Sequence, residues 1–182
     1  AEIGRMAAAG SGGAHCPSSN MRRASGIAPV MQYLGAGVPI GLGVDGSASN
    51  DGSHLLGEAR QAMLLARLAA APSLSPGPQL AARTVLELAT LGGARVLGRD
   101  DIGSLEAGKC ADFFTLDLNR LEFAGALHDP VAAAVLCAPA PASHLFVHGR
   151  AVIWEGHCTC LHREPELIAR HNRAAQRLLA GA

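Results

Sequence analysis

An apolar segment that ends on an aspartate is the feature that most constrains this sequence. Leu42 and Val44 belong to a stretch that predicts the last part of a buried parallel strand, and Asp45 follows directly. The small and polar residues 46–51 come next and predict a loop. Ligands of α/β folds bind at the carboxyl ends of parallel strands, so Asp45 is a candidate metal ligand or proton-transfer group. The alternative is that Asp45 caps a helix predicted to begin near His54.

The composition predicts a folded domain and argues against several kinds of partner. The chain has 182 residues, of which 49% are hydrophobic and 16% are charged, and its formal net charge is +0. This hydrophobic share is sufficient for a buried core, and a chain without basic excess is not expected to bind a nucleic-acid polymer or a membrane surface. No run approaches the roughly 20 apolar residues of a membrane span.

The cysteines and the first residues of the sequence lead to two further expectations, one about the cellular compartment and one about upstream residues. The five cysteines are odd in number and widely spaced, which favours a reducing compartment, so we expect a cytoplasmic protein. Residues 1–9 predict a helix already under way, because Ile3 and Met6 lie one turn apart. We therefore expect further residues upstream of this sequence.

The first half of the chain predicts alternating strands and helices. A strand at 14–16 is followed by a loop at 18–20, a helix at 27–35 and a second strand at 38–44. A short crossover of this kind makes the two strands parallel, with their following loops at one edge. Helices are predicted at 54–68 and 80–97, separated by a proline-rich loop at 72–78.

The second half predicts a small β unit and a final helix. Short β-prone segments are separated by turn residues, and they lie at 102–105, 112–116, 131–137, 143–147 and 151–154. Residues 148–150 and 155–156 predict tight turns. The aromatic side chains of this unit are expected in its core. Residues 164–180 predict an amphipathic helix with Leu167, Ile168, Ala175 and Leu178 on one face.

Several motifs together resemble the metal-dependent amidohydrolase superfamily. They are HCPSSNM at 15–21, SGIAP at 25–29, AGV at 36–38 and GVDGSASND at 43–51. A second signature, GSLEAGK at 103–109 followed by Ala111 and Asp112, resembles the segment that enters the β-sandwich of these enzymes. The similarity is greatest to the branch that contains 8-oxoguanine deaminase and the hydroxyatrazine and triazine hydrolases.

The resemblance implies an α/β fold, the C-terminal part of a (β/α)8 TIM-like barrel plus part of a flanking β-sandwich. Residues 14–16 would form the seventh barrel strand and residues 40–44 the eighth. The implied domains are 1–98 for the barrel portion, 99–162 for the sandwich portion and 163–182 for a C-terminal helix.

The resemblance also implies that Asp45 is the main catalytic residue of this chain. The family's eighth-strand aspartate binds one divalent metal ion, zinc or alternatively iron, and moves protons from activated water. A carboxylate suits both tasks, because it is charged at neutral pH and has two oxygens. The family's other ligands are a His-x-His pair on the first strand and a histidine on the fifth, with a glutamate and a sixth-strand histidine nearby. The resemblance implies that none of these is present here, and no His-x-His occurs in these 182 residues. We therefore expect activity only when upstream residues complete the site.

The implied substrate is a small purine-like heterocycle, 8-oxoguanine in particular, which a hydrolytic deaminase would convert with release of ammonia. A triazine or hydroxyatrazine hydrolase, which expels an alkylamine or chloride, is the alternative within enzymes. A non-catalytic structural module is the alternative of another class, motivated by the absent ligands. Relatives commonly associate, so we expect a homo-oligomer.

Other polar residues have weaker claims to function. His15 ends a predicted strand on the same edge as Asp45, and it is a candidate for substrate contact or for a loop-stabilising hydrogen bond. The polar residues of the 46–51 loop and Asn20 are expected to shape turns. The segment 157–162 contains two cysteines and two histidines, but we interpret it as a strand with buried thiols rather than a zinc site.

Overall fold

Two small sheets and eight α-helices make up the described part of the chain, which in this computed structural model comprises residues 2–70, 79–137, 140–161 and 164–181. The helices are α1 (Glu2–Ala8), α2 (Pro17–Arg22), α3 (Val30–Gly35), α4 (Leu55–Ala70), α5 (Ala82–Glu87), α6 (Gly93–Val96), α7 (Pro130–Leu136) and α8 (Glu164–Ala180). The strands are β1 (Gly13–His15), β2 (Ile40–Leu42), β3 (Phe113–Thr115), β4 (His144–Val147), β5 (Arg150–Trp154) and β6 (His157–Cys158).

The first sheet consists of β1 and β2, which pair in parallel with His15 opposite Leu42. This confirms the predicted parallel pairing, although two helices, α2 and α3, connect the strands instead of the single helix predicted. Strand β2 begins at Ile40 rather than at 38 because Pro39 lacks the N–H that a ladder requires, and it ends at Leu42 rather than at 44. The two strands do not close into a barrel within the described residues.

Two prolines set helix starts that differ from the prediction. Residues 18–20, predicted as a loop, lie inside α2, whose first residue is Pro17. Proline is favoured at this position because its missing N–H would have no helical partner there, so here it begins a helix instead of only ending a strand. Helix α3 begins at Val30 rather than at 27, because Pro29 disfavours helical geometry in the residue before it.

The main core lies between the first sheet and the longer helices. Buried apolar residues of β2, α4 and α5 form it, with additional side chains from α3 and α7. The predicted helix at 54–68 is confirmed as α4. The predicted helix at 80–97 is confirmed in three pieces, α5, a π-helical turn at Leu88–Gly92, and α6. The predicted loop at 72–78 lies outside the described residues.

The prediction of a strand at 131–137 is wrong, because this segment is helix α7. The Asp129 carboxylate caps it by accepting a 2.9 Å hydrogen bond from the N–H of Ala132, and Pro130 is its first residue. A capping aspartate followed by proline is a strong helix start, and the alanines that follow favour helix over strand. Helix α7 packs on α4 and α5, so the predicted sandwich portion also contributes to the main core.

The second sheet is antiparallel, in the order β3, β4, β5, β6. Both predicted turns are confirmed, with positive φ at His148 and Gly149 in one and at Glu155 and Gly156 in the other. Residues 102–105 do not form a strand, and 102–104 are bends. The expected aromatic core is only partly confirmed, because Phe113 stacks on Phe146 at 4.6 Å, whereas 52% of Trp154 is exposed.

Helix α8 has the predicted bounds, and none of its residues is buried. Its apolar side chains Leu167, Ile168 and Leu178 are exposed. Among the described residues, no helix has the length and apolarity that crossing a membrane requires.

The contact between the π-helical turn and β2 leaves no room for a side chain, which gives a first prediction. A Cβ added at Gly92 would lie 2.3 Å from the carbonyl oxygen of Ile40. We expect Gly92→Ala to lower the free energy of unfolding by about 1–3 kcal/mol, measured by urea denaturation. Gly93→Ala is the matched control, because an added Cβ there meets nothing within 4 Å. Equal stability of the two variants would contradict this packing.

Candidate metal centre

Asp45 lies three residues beyond the end of β2, and its carboxylate is held by two hydrogen bonds. The Ser19 hydroxyl donates to Oδ2 at 2.5 Å, and the Gly46 N–H donates to Oδ1 at 2.8 Å. Asp45 is exposed and has a φ of 62°, a left-handed conformation that non-glycine residues rarely adopt. Such a conformation persists only where the surroundings enforce it, and it is common at functional sites.

The two hydrogen bonds also favour the ionised form of Asp45. Chiefly the Ser19 hydroxyl, and then the Gly46 N–H, hold the pKa of the Asp45 carboxyl below its ordinary value. Asp45 does not cap the next helix. At the start of α4, the N–H of Gly57 donates a hydrogen bond of 3.2 Å to His54 Nδ1, so His54 caps this helix.

The Asp45 carboxylate is suited to be one of the protein ligands of a metal ion. A carboxylate has about four lone-pair sites, so each oxygen of Asp45 can accept its present hydrogen bond and still bind a cation. Catalytic zinc sites use three protein ligands. No group of three or more His, Cys, Asp or Glu side chains suited to a metal occurs within residues 2–70, 79–137, 140–161 and 164–181.

Ser19 is positioned by a buried carboxylate on a neighbouring helix. Glu58 of α4 is only 2% exposed. Its Oε2 accepts from the Ser18 N–H at 2.9 Å, and its Oε1 accepts from the Ser18 hydroxyl at 2.5 Å and from Asn50 Nδ2 at 2.9 Å. Glu58 therefore joins α2, which carries Ser19, to the loop that follows Asp45.

Asn50 shapes that loop, as its sequence predicted. Its side-chain oxygen accepts from the N–H groups of Gly52 at 3.1 Å and Ser53 at 3.2 Å. Arg22 at the end of α2 forms an exposed ion pair with Asp51. The loop after β2 is thus attached to α2 by a buried and an exposed contact.

His15 lies at the end of β1 and is only 7% exposed. It lines a cavity of about 140 Å³ together with Asn20 and Tyr33, and Asp45 is not part of that lining. Burial lowers the pKa of His15, and the charge of Glu58 partly opposes this effect. Within the described residues, its Nδ1 has no hydrogen-bond partner. The structure therefore does not place His15 and Asp45 around one cavity.

Sequence reasoning missed Ser19 and Glu58. Glu58 had a detectable signal, because it lies one turn before Ala62 on the apolar stripe of α4, where a charged residue is unusual. Ser19 had none, because its contact with Asp45 spans 26 residues and depends on the packing of α2.

Comparison with known proteins identifies the family. A sequence profile of the amidohydrolase family matches residues 2–152. The chain belongs to the amidohydrolase family. It is 50% identical over 181 residues to 8-oxoguanine deaminase of Pseudomonas aeruginosa, covering 99% of this chain and 38% of that protein. It is 46% identical over 130 residues to hydroxydechloroatrazine ethylaminohydrolase of Pseudomonas sp. strain ADP, covering 71% and 27%.

Solved amidohydrolase structures have a similar fold over this region. An adenosine deaminase from Xanthomonas campestris with bound zinc aligns with a TM-score of 0.88 and 33% identity, covering 98% of this chain and 40% of that one. Atrazine chlorohydrolase from Arthrobacter aurescens TC1, complexed with zinc, aligns with a TM-score of 0.84 and 36% identity, covering 95% and 37%. This chain thus spans well under half the length of these amidohydrolases.

The Glu58 contacts give a second prediction. Removing a buried acceptor leaves its donors unsatisfied, so Glu58→Ala should lower the free energy of unfolding by about 3 kcal/mol in urea denaturation. Glu87→Ala, which removes an exposed glutamate from α5, is the control and should have little effect. A Glu58→Ala variant as stable as this control would show that the hydrogen bonds contribute nothing net.

Proposed function

We propose that Asp45 is one protein ligand of a catalytic divalent metal ion in a hydrolytic deaminase of a purine-like ring. The observation that carries the proposal is the held, ionised carboxylate at the exit of β2, with one hydrogen bond on each oxygen. Zinc is the proposed metal, because the related amidohydrolase structures contain it, and iron is the alternative. Further ligands would come from residues outside these 182.

Asp45 and its neighbours would have separate tasks in this chemistry. Bound zinc would supply Lewis-acid activation of water near neutral pH. Asp45 would hold the ion and accept a proton on the carboxylate. The Ser19 hydroxyl and the Gly46 N–H would fix the orientation of that carboxylate. The overall reaction would replace a ring amino group by an oxygen from water and release ammonia.

The proposed substrate is 8-oxoguanine. Its support is the 50% identity to the Pseudomonas aeruginosa 8-oxoguanine deaminase over 99% of this chain. Substrate contact by His15 stays a prediction. Its Nδ1, which has no hydrogen-bond partner among the residues that the structure describes, offers a site for a polar atom, but Asp45 does not line the surrounding cavity.

The same proposal assigns the elements to a larger fold. Strands β1 and β2 would be the seventh and eighth strands of a (β/α)8 barrel within residues 1–98. Residues 99–162 would be part of a flanking β-sandwich, and residues 163–182 a C-terminal helix. The parallel pairing of β1 and β2 supports the barrel portion, and the antiparallel sheet β3 to β6 supports the sandwich portion.

A triazine-type hydrolase is the second candidate function. The 46% identity to hydroxydechloroatrazine ethylaminohydrolase and the TM-score of 0.84 against atrazine chlorohydrolase favour it. Both candidates would use the same metal chemistry and would differ in the leaving group, ammonia in one and an alkylamine or chloride in the other.

Product analysis distinguishes these functions. The zinc-loaded protein that contains this chain would be incubated with 8-oxoguanine and, separately, with hydroxyatrazine. We expect ammonia from 8-oxoguanine to form much faster than alkylamine from hydroxyatrazine. Alkylamine release alone would establish the second candidate. Absence of both products would favour the non-catalytic structural module.

A substitution at Asp45 gives the third prediction. In the complete protein, Asp45→Asn should lower zinc retention and abolish turnover, because an amide oxygen is a weaker, uncharged ligand. Zinc content is measured by elemental analysis and turnover by ammonia release.

Asp51→Asn is the matched control, since Asp51 lies on the same loop and pairs with Arg22 at the surface. It should retain both zinc and activity. Wild-type turnover in Asp45→Asn would refute the assigned role.

A further inference from the structure

Two thiols that the Asp45 site does not use are in contact at the end of the second sheet. Cys158 ends β6, and Cys160 follows two residues later. Their Sγ atoms lie 3.0 Å apart, and both cysteines are free. A disulfide bond is about 2.05 Å long, so an approach of about 1 Å would join the two sulfurs. The pair is therefore close to the geometry of an intramolecular disulfide.

A turn anchored to β5 holds the two cysteines together. Thr159, between them, donates its N–H to the Val152 carbonyl and its hydroxyl to the Ala151 carbonyl, both at 2.9 Å. The Leu161 N–H donates to the Cys158 carbonyl at 3.2 Å. The predicted strand at 157–162 thus ends at Cys158, and its continuation is this turn as far as Leu161. His162 lies outside the described residues.

The spacing suits a disulfide better than a zinc site. Zinc bound to two thiolates at about 2.3 Å each in tetrahedral geometry would separate the sulfurs by about 3.8 Å. The observed separation is 3.0 Å. The part of the chain that the structure describes also supplies no third ligand that would complete a metal group here.

The two thiols differ in a way that suits thiol exchange. The hydrogen bond between the two Sγ atoms lowers the pKa of Cys158 and raises that of Cys160. Burial raises the pKa of Cys16 and of Cys110. Because the thiolate is the nucleophile, a pair in which one thiol donates a hydrogen bond to the other has a stabilised attacking group, and Cys160 is exposed to an incoming disulfide.

We propose that Cys158 and Cys160 form a redox-active dithiol that exchanges with low-molecular-weight disulfides such as oxidised glutathione. The thiolate of one cysteine of the pair attacks one sulfur of glutathione disulfide, forms a mixed disulfide and releases one glutathione thiolate. The other cysteine then loses its proton and attacks the Sγ of the first, which releases the second glutathione. Two electrons pass from the two cysteines to the oxidant, so one protein disulfide and two glutathione thiols result.

Such a disulfide would be reversible under cellular conditions. It closes a loop of only three residues at an exposed turn, and exposed or strained disulfides are the labile ones. This property does not depend on Asp45 or on bound metal, so it is tested separately from the proposed deaminase activity.

The test is thiol counting and intact mass of the reduced chain after incubation with oxidised glutathione. We expect loss of two of the five thiols, a monomer lighter by two hydrogens, and a disulfide mapped to the 158–160 peptide. Cys160→Ser should stop at the mixed disulfide and carry one glutathionyl group on Cys158. Cys137→Ser is the matched control and should still lose the thiols of Cys158 and Cys160.

Three results would overturn the proposal. The first is persistence of all five thiols. The second is a glutathionyl group on a cysteine other than Cys158 in the Cys160→Ser variant. The third is stoichiometric zinc retained by the reduced chain through Cys158 and Cys160, measured after zinc titration and dialysis, because that would make the pair a metal site.

Discussion

The buried carboxylate of Glu58 is the interaction on which the candidate site depends. A carboxylate that is 2% exposed is costly unless its oxygens accept hydrogen bonds. Its donors come from Ser18 on α2 and from Asn50 on the loop after β2. Helix α4 can therefore bury this face only when both segments are in place. Formation of the core and formation of the site loops are thus one event.

This coupling explains how an exposed aspartate can have a fixed orientation. Glu58 holds the first turn of α2, α2 carries Ser19, and the Ser19 hydroxyl donates to Asp45. The left-handed backbone at Asp45 turns its carboxylate so that the N–H of Gly46 reaches the other oxygen. Preorganised ligands bind a metal without further ordering, which is the property that a catalytic site of this kind requires.

Features that depend on the local sequence pattern could be predicted, whereas contacts that depend on long-range packing could not. The parallel strands and the position of Asp45 followed from apolar runs and turn residues. Pro17 was interpreted as the end of a strand, but proline also begins helices. The helix start at Asp129 and Pro130 was overlooked, so residues 131–137 were predicted as a strand. Ser19 could not be found, because its contact with Asp45 exists only after α2 packs. The Cys158 and Cys160 contact was likewise hidden, because it depends on a turn where the pattern favoured a strand.

The most direct measurement is the position of zinc in a crystal of the metal-loaded protein that contains this chain, located by anomalous scattering. We expect a zinc peak about 2.0–2.2 Å from a carboxylate oxygen of Asp45, with the Ser19 hydroxyl still donating to that carboxylate. A zinc ion bound in the protein with Asp45 outside bonding distance would contradict the role assigned to Asp45.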